Sequence, residues 1–249
     1  SNNTPKGIVI EKQGIFSSGG TVTAQGGVHA AGIGSGNASE WSSVTITGGT
    51  VEAIDPVRYI CNRSSGKMGY EIARAAKNAG ADVILISGNA TAEPPTDIKF
   101  VKVKTALEMR EAVWAEFDSA DAVIMAAAVS DYRVKNVAAQ KIKKTYATLS
   151  LELVKNPDIL KDISSSRGNS DTLIVGFCAE SENLLDNAIK KIQSKGCDFI
   201  IANDISRQDI GFNSDENEVY IIEKNLGIKK LEKNTKDKIS EQILEEIFE

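Results

Sequence analysis

GGTVEAIDPVRYICNRSSGKMGY, residues 48–70, belongs to two patterns at once. On its left, GGTVTA at 19–24 makes GGTVEA at 48–53 look like a second copy, 29 residues further on. On its right, DPVRYICNRSSGKMGY reads as a glycine- and serine-rich loop running into a helix, an arrangement whose backbone can close on an anion. If the left pattern owns the stretch, it ends a repeat. If the right pattern does, it is the first turn of an α/β domain.

The left pattern is short. Residues 1–43 hold four charged side chains, and the first 50 residues carry 11 of the 20 glycines. β-Branched and small residues alternate there between glycine turns, as short exposed strands of a β-solenoid would. The text resembles the GGTVTA and AAGIGSG repeats of bacterial surface β-helix proteins. Two partial copies fall short of the roughly three needed to bury a solenoid core. Residues 1–43 therefore read as a glycine-rich β or disordered segment ahead of a domain at 44–249.

The right pattern is long and regular. In SSGKMGYEIARAAKNAG, Met68, Ile72, Ala76 and Ala79 recur at helical spacing, with Ser65 as N-cap and Gly80 as stop. VILI (83–86) reads as a buried strand. TALEMREAVWAEF puts Met109, Val113 and Phe117 on one helical face, and AVIMAAAV (122–129) as the next strand. Asn156-Pro157 reads as a cap and first-turn proline opening a helix over 156–166, which leads to the strand TLIVGF. Leu185, Ala188, Ile189 and Ile192 form a further stripe, followed by the strand DFIIA (198–202). Continuous apolar strands alternating with helices predict an α/β fold, a Rossmann-like doubly wound, mainly parallel sheet. EVYIIEKNLGIKKL then predicts a C-terminal hairpin turning at 225–227, and Ile239, Ile243 and Ile247 a last helix.

Composition narrows the function classes. A net charge of -5 and a pI near 5.2 argue against a general partner in nucleic acid or anionic membrane. The apolar runs are too short to span a bilayer, and the expected location is cytoplasmic. Cys61, Cys178 and Cys197 form neither a CxxC pair nor a zinc set, and read as reduced thiols. The one histidine, His29, lies in the repeat-like segment, which disfavours a Ser-His-Asp or Cys-His mechanism.

In a doubly wound sheet, ligands bind beyond the carboxyl ends of the strands. GGT with SSGKMG (64–69), AAAVSDYR (126–133), GFCAE (176–180) and AND (202–204) all fall there. The first is neither GxGxxG nor a P-loop, so an NAD-dependent oxidoreductase would have the fold without its fingerprint. Ser65 suits either a cap or a phosphate ligand. Lys135, Lys141, Lys143 and Lys144 are either a solvated surface loop or a basic loop over a triphosphate, with Asp131 placed to hold its magnesium. Phe177 suits either the core or a base, and Lys191 and Lys195, four apart on a helix, can face one ligand.

Taken together these residues resemble the phosphopantothenate–cysteine ligases, the synthetase half of bacterial bifunctional coenzyme A biosynthesis proteins. The matching text is GGT-x-E-x-IDPVRYICNRSSGKMGYEIA, AAAVSDYR followed by KIKK, LVKNPDIL, VGFCAE and IANDIS…GFNSDENEV, across about 44–249 in the family's order. The resemblance implies joining of 4'-phosphopantothenate to L-cysteine with CTP and Mg2+ through an acyl-cytidylate. It implies that Asn62 holds the acyl-cytidylate and that Lys141 steadies the transferring phosphate. Arg58, Ser64, Gly66, Gly69 and Asn203 would grip phosphopantothenate. Ala128, Asp131, Phe177, Lys191 and Lys195 would hold CTP. It also implies a homodimer with shared sites, Arg58 and Asn62 acting across the interface.

Two departures stand out. A flavin-containing decarboxylase domain is not expected before residue 44. The first strand, SSVTIT, alternates hydroxyl residues where the family has an apolar run, as if repeat text were joined at the shared GGT. The alternative function is an inactive ligase-derived binding or structural domain fused to a surface-type repeat.

Overall fold

The computed structural model describes residues 42–248 apart from 145–146, 169, 208 and 212–213, and of 42–47 the backbone alone. The β-helix-like reading of the leader lies outside the described residues, as does His29. The shared stretch goes to the right-hand pattern: Val51–Ala53 pairs with Tyr59–Cys61 as a small antiparallel arm, not as a solenoid rung.

The chain runs β1 (Ser42–Thr47), β2 (Val51–Ala53), β3 (Tyr59–Cys61), α1 (Lys67–Asn78), β4 (Asp82–Ser87), β5 (Lys99–Lys102), α2 (Ala106–Phe117) and β6 (Ala122–Met125). It continues with β7 (Tyr132–Val134), β8 (Leu153–Lys155), α3 (Ile159–Ser166), β9 (Leu173–Glu180), α4 (Leu184–Lys195) and β10 (Phe199–Asp204). The hairpin β11 (Glu216–Glu223) and β12 (Ile228–Thr235) and the helix α5 (Lys236–Phe248) close it. The main sheet has the order β12-β11-β10-β9-β6-β1-β4-β5. Pairing is parallel from β10 to β5, and antiparallel where the hairpin joins the β10 edge. This is the expected doubly wound sheet, with the hydroxyl-bearing SSVTIT strand at its centre.

Two apolar layers sandwich the sheet. Met109, Val113 and Phe117 of α2, Ile159 and Ile163 of α3, and Ile192 of α4 pack on one face. Tyr70, Ile72 and Ala76 of α1 pack with Ile239, Ile243 and Ile247 of α5 on the other. Alternate residues of one strand feed opposite layers, as Ile84 and Ile86 do against Val83 and Leu85. Burying each such side chain stabilises by about 1.5–3 kcal/mol, which is why unbroken apolar runs become central strands.

Three local expectations are corrected. The N-cap of α1 is Gly66, at φ 78, and not Ser65. A left-handed residue turns the chain into the helix there, and Ser65 Oγ meets the Lys67 N–H at 3.4 Å. The cap of α3 is Asp158, whose carboxylate accepts from Lys161 N at 3.2 Å. Asn156 is diverted, its amide donating to the Ser130 carbonyl at 2.7 Å. The strand predicted over 122–129 stops at Met125, because Ala128 turns back to exchange hydrogen bonds with Gly48 and Thr50.

The arm is fastened through Asp55, which is 2% exposed. Its carboxylate accepts from Val57 N and Arg58 N at 2.9 Å, Arg58 Nε at 3.0 Å and Ile142 N at 3.1 Å. Arg58 Nη2 in turn donates to the Ile142 carbonyl at 3.0 Å, so the basic segment carrying Lys141 is tied to the arm.

Two outcomes are expected. Gly88→Ala places a methyl 2.5 Å from the Gly49 carbonyl oxygen, whereas a methyl at Gly168 has nothing within 4 Å. In urea unfolding Gly88→Ala costs about 1–3 kcal/mol through that overlap, and Gly168→Ala about 1–2 kcal/mol through its left-handed φ 60 alone. The Arg58 guanidinium holds the Asp55 carboxyl far below its ordinary value of 3.8. A depressed carboxylate stabilises the fold above that ordinary value and loses the contribution as pH falls below it. Unfolding midpoints measured from neutral pH into the acid range drop on that limb, and Asp55→Asn flattens the drop.

Candidate functional site

The chain splits at β1: β4 and β5 lie on one side of it, β6, β9 and β10 on the other. The carboxyl end of β1 is thus the point where strand order reverses, and a crevice opens there by topology alone. Gly48, Gly49 and Thr50 fill it. Gly49 N donates to the Asn89 carbonyl at 3.1 Å and its own carbonyl accepts from Asn89 N at 2.7 Å. Ala128 N donates to the Gly48 carbonyl at 2.8 Å, and Ser130 N to Thr50 Oγ1 at 2.9 Å. One short glycine stretch therefore sets both neighbouring loops.

Two clefts open around this junction. One, of about 460 Å³, is lined by Ser130, the segment from Lys155 to Leu160, and Lys195. The other, of about 420 Å³, is lined by the 62–69 loop, Ala126, Ala128, Asn203, Asn217 and Lys236. Ala127, Val129, Asp131, Phe177 and Lys191 face both, so the two spaces share one wall.

The expected residues divide between them. Asn62, Ser64, Gly66, Gly69, Ala128 and Asn203 line the second cleft. Lys195 lines the first, and Asp131, Phe177 and Lys191 stand in the common wall. Asn62 is held by its amide, which donates to the Ala128 and Val129 carbonyls at 3.3 Å each. Lys191 Nζ donates to the Phe177 carbonyl at 2.7 Å, and Lys195 is paired with Asp158. Arg58 and Lys141 line neither cleft; they sit on the arm and on the segment tied to it.

Other lining residues were not singled out from sequence. Asn156 and Asp158 shape the first cleft through the contacts already described. Asn217 and Lys236 belong to the second. Burial, reinforced by the charge of Lys67, pulls the Lys236 ammonium down to about 8. Lysine as the first residue of a helix opposes the macrodipole, and that conflict was a readable signal.

The chemistry available is that of placed cations and amides. Burial pushes the Cys178 and Cys197 thiols up to about 11, which leaves no thiolate at neutral pH. Among the described residues no three His, Cys, Asp or Glu side chains cluster as a metal-binding set. Asp131 is an exposed carboxylate in the common wall. That fits a magnesium ion delivered on a nucleotide, which takes one or two carboxylates and completes its shell with phosphates and water. Among the described residues no helix is long and apolar enough to cross a membrane.

Comparison with known proteins agrees with this architecture. The chain is 42% identical over 210 residues to the coenzyme A biosynthesis bifunctional protein CoaBC of Bacillus subtilis, covering 84% of this chain and 51% of that protein. It thus spans about half the length of the curated relatives it matches. The crystal structure of the C-terminal domain of a CoaBC protein superposes with a TM-score of 0.70 at 36% identity, covering 84% of this chain and 95% of that one. The DNA/pantothenate metabolism flavoprotein of Streptococcus pneumoniae matches with a TM-score of 0.70 at 27% identity, over 83% of this chain and 97% of that one. Residues 40–249 match the profile of the DNA/pantothenate metabolism flavoprotein C-terminal domain, and the chain belongs to that family.

Proposed function

We propose that the domain is a phosphopantothenate–cysteine ligase, joining 4'-phosphopantothenate to L-cysteine with CTP through an acyl-cytidylate, in coenzyme A biosynthesis. The observation that carries this reading is the wall common to two clefts. A reaction that first activates a carboxylate on a nucleotide and then transfers the acyl group needs two binding spaces meeting at one reacting point. The name of the Bacillus subtilis relative, a coenzyme A biosynthesis protein, supports the pathway.

The nucleotide takes the first cleft, its base near Phe177 and its phosphates toward Lys191 and Lys195. Phosphopantothenate takes the second, along Ser64, Gly66, Gly69 and Asn203, and Ala128, expected to contact CTP, lines that second cleft beside the common wall. A pantothenate carboxylate oxygen attacks the α-phosphorus, and the bond to pyrophosphate breaks. The cysteine amine then attacks the acyl carbon, the bond to CMP breaks, and the amine gives up a proton. Asn62, bonded to the Val129 carbonyl of the common wall, holds the acyl-cytidylate, and Lys141 balances charge on the transferring phosphate. Asp131 would hold Mg2+, which supplies charge neutralisation on the nucleotide phosphates.

Arg58, expected to act across the interface, lies outside the clefts of one chain, as Lys141 does, which supports sites completed by a second copy in a homodimer; Asn62, expected to act across it too, lines the second cleft of its own chain. The exposed Val57 and Tyr59 on the arm and Val137 beside it give such a contact apolar surface. Catalysis is expected from the dimer and not from the monomer.

The test is pyrophosphate release by the purified chain with CTP, magnesium and 4'-phosphopantothenate, with and without cysteine. Release that requires phosphopantothenate is expected, and Asn62→Ala lowers kcat by about 10²–10³-fold, as loss of one aimed donor does. A folded dimer that releases no pyrophosphate would sink the ligase reading.

A further inference from the structure

Ser130 and Asp131 form the bend through which the chain enters β7. Ser130 lines the first cleft, and Asp131 stands in the common wall. The Ser130 backbone is held from two sides: its N–H donates to Thr50 Oγ1 at 2.9 Å, and its carbonyl accepts from Asn156 Nδ2 at 2.7 Å. Its hydroxyl does not hold it, being buried without a hydrogen-bond partner among the described residues. The Asp131 carbonyl accepts from Asn156 N at 2.8 Å. The Asp131 side chain is exposed, so its place comes from the main chain beneath it.

Asn156 suits that task by its place in the chain. β7 and β8 pair Tyr132 with Lys155, and Asn156 N extends the ladder one step, to Asp131. The next residue is Pro157, which has no N–H to give. The Asn156 side-chain amide supplies a donor there and reaches the Ser130 carbonyl. Its other end is fixed as well, since Arg133 Nη1 donates to Asn156 Oδ1 at 3.1 Å and to the Lys155 carbonyl at 2.7 Å. Reversing the amide would set its NH2 against the guanidinium, donor facing donor. Two residues on, Asp158 caps α3 and pairs with Lys195. One asparagine therefore joins the common wall to the outer lining of the first cleft.

We propose that Asn156 is a positioning residue for Asp131: its amide and backbone N–H fix the Ser130–Asp131 bend, and through it the carboxylate offered to a metal–nucleotide ligand in the first cleft. The identity of that ligand rests on the ligase reading. Asn156 acts through Asp131 and not on the reacting atoms. A carboxylate on a loose bend samples many positions, whereas magnesium demands near-ideal octahedral geometry and gains from an oxygen already in place. Residues that orient a metal ligand typically matter about 10–100-fold to metal affinity.

The test titrates the full chain with CTP by calorimetry, once with Mg2+ and once with EDTA. Asn156→Ala weakens binding about tenfold in Mg2+ and less than about twofold in EDTA. Asp131→Ala does the same. The double variant stays within about twofold of Asp131→Ala, because the asparagine then has no carboxylate left to place. A general loosening of the cleft would instead lower affinity alike in both buffers and add to the Asp131 loss. Arg133→Met removes the bonds that orient the Asn156 amide and weakens only Mg2+-dependent binding, by about threefold or more. Arg133 is half-buried, so its variant decides the matter if Asn156→Ala fails to fold.

Equal losses with and without Mg2+, additive losses in the double variant, or no binding of Mg2+–CTP by the unaltered chain would overturn the positioning role. If binding responds as expected but no pyrophosphate is released, the ligase reading fails and the positioning role stands. If pyrophosphate is released but Asn156→Ala leaves Mg2+-dependent binding unchanged, the positioning role fails and the ligase reading stands.

Discussion

The carboxyl end of β1 is the constraint on which the rest depends. Three backbones must meet where strand order reverses, and there is no room for side chains between them. A Cβ on Gly88 would come 2.5 Å from the Gly49 carbonyl oxygen, and one on Gly66 would come 2.6 Å from Ala90 Cβ. Gly48 meets the junction at φ 76, which L side chains rarely adopt. With those atoms absent, the loops after β4 and β6 hydrogen-bond directly to residues 48–50. Both clefts inherit their geometry from that contact.

Around the junction the cations are already matched with carboxylates. Lys67 faces Asp215, Lys195 faces Asp158 and Arg58 faces Asp55. In a chain of net charge -5, this gathers positive charge locally beside carboxylates. The pairs differ in kind. Asp55 is buried and accepts five protein N–H groups, so it belongs to the architecture. Asp215 and Asp158 are open to water, so their pairs add little to stability.

What the sequence disclosed follows the same physics. Runs such as VILI and AVIM became central strands because burial on both faces demands continuous apolar residues. The α2 and α5 stripes held because an apolar face on one layer repeats at helical spacing. The arm was invisible: Val51–Ala53 and Tyr59–Cys61 are three residues each, too short for a period, and are held by the Asp55 clasp rather than by a core. β7 and β8 are equally short and meet across 18 intervening residues, from 135 to 152, a pairing that no local pattern encodes. At the site, position beyond strand ends pointed to residues that mostly line the two clefts. Lys236 was overlooked because the stripe of Ile239 and Ile243 defines its helix, and a reading by period ignores the charge at the first turn.

The common wall also limits how this domain can diverge. Ala127, Val129, Asp131, Phe177 and Lys191 each line two clefts, so a substitution that reshapes one cleft reshapes the other at once. Freedom to drift lies in the outer linings, such as the stretch from Lys155 to Leu160, which only one cleft sees. The shape of the first cleft can change from that rim while the shared interior stays fixed.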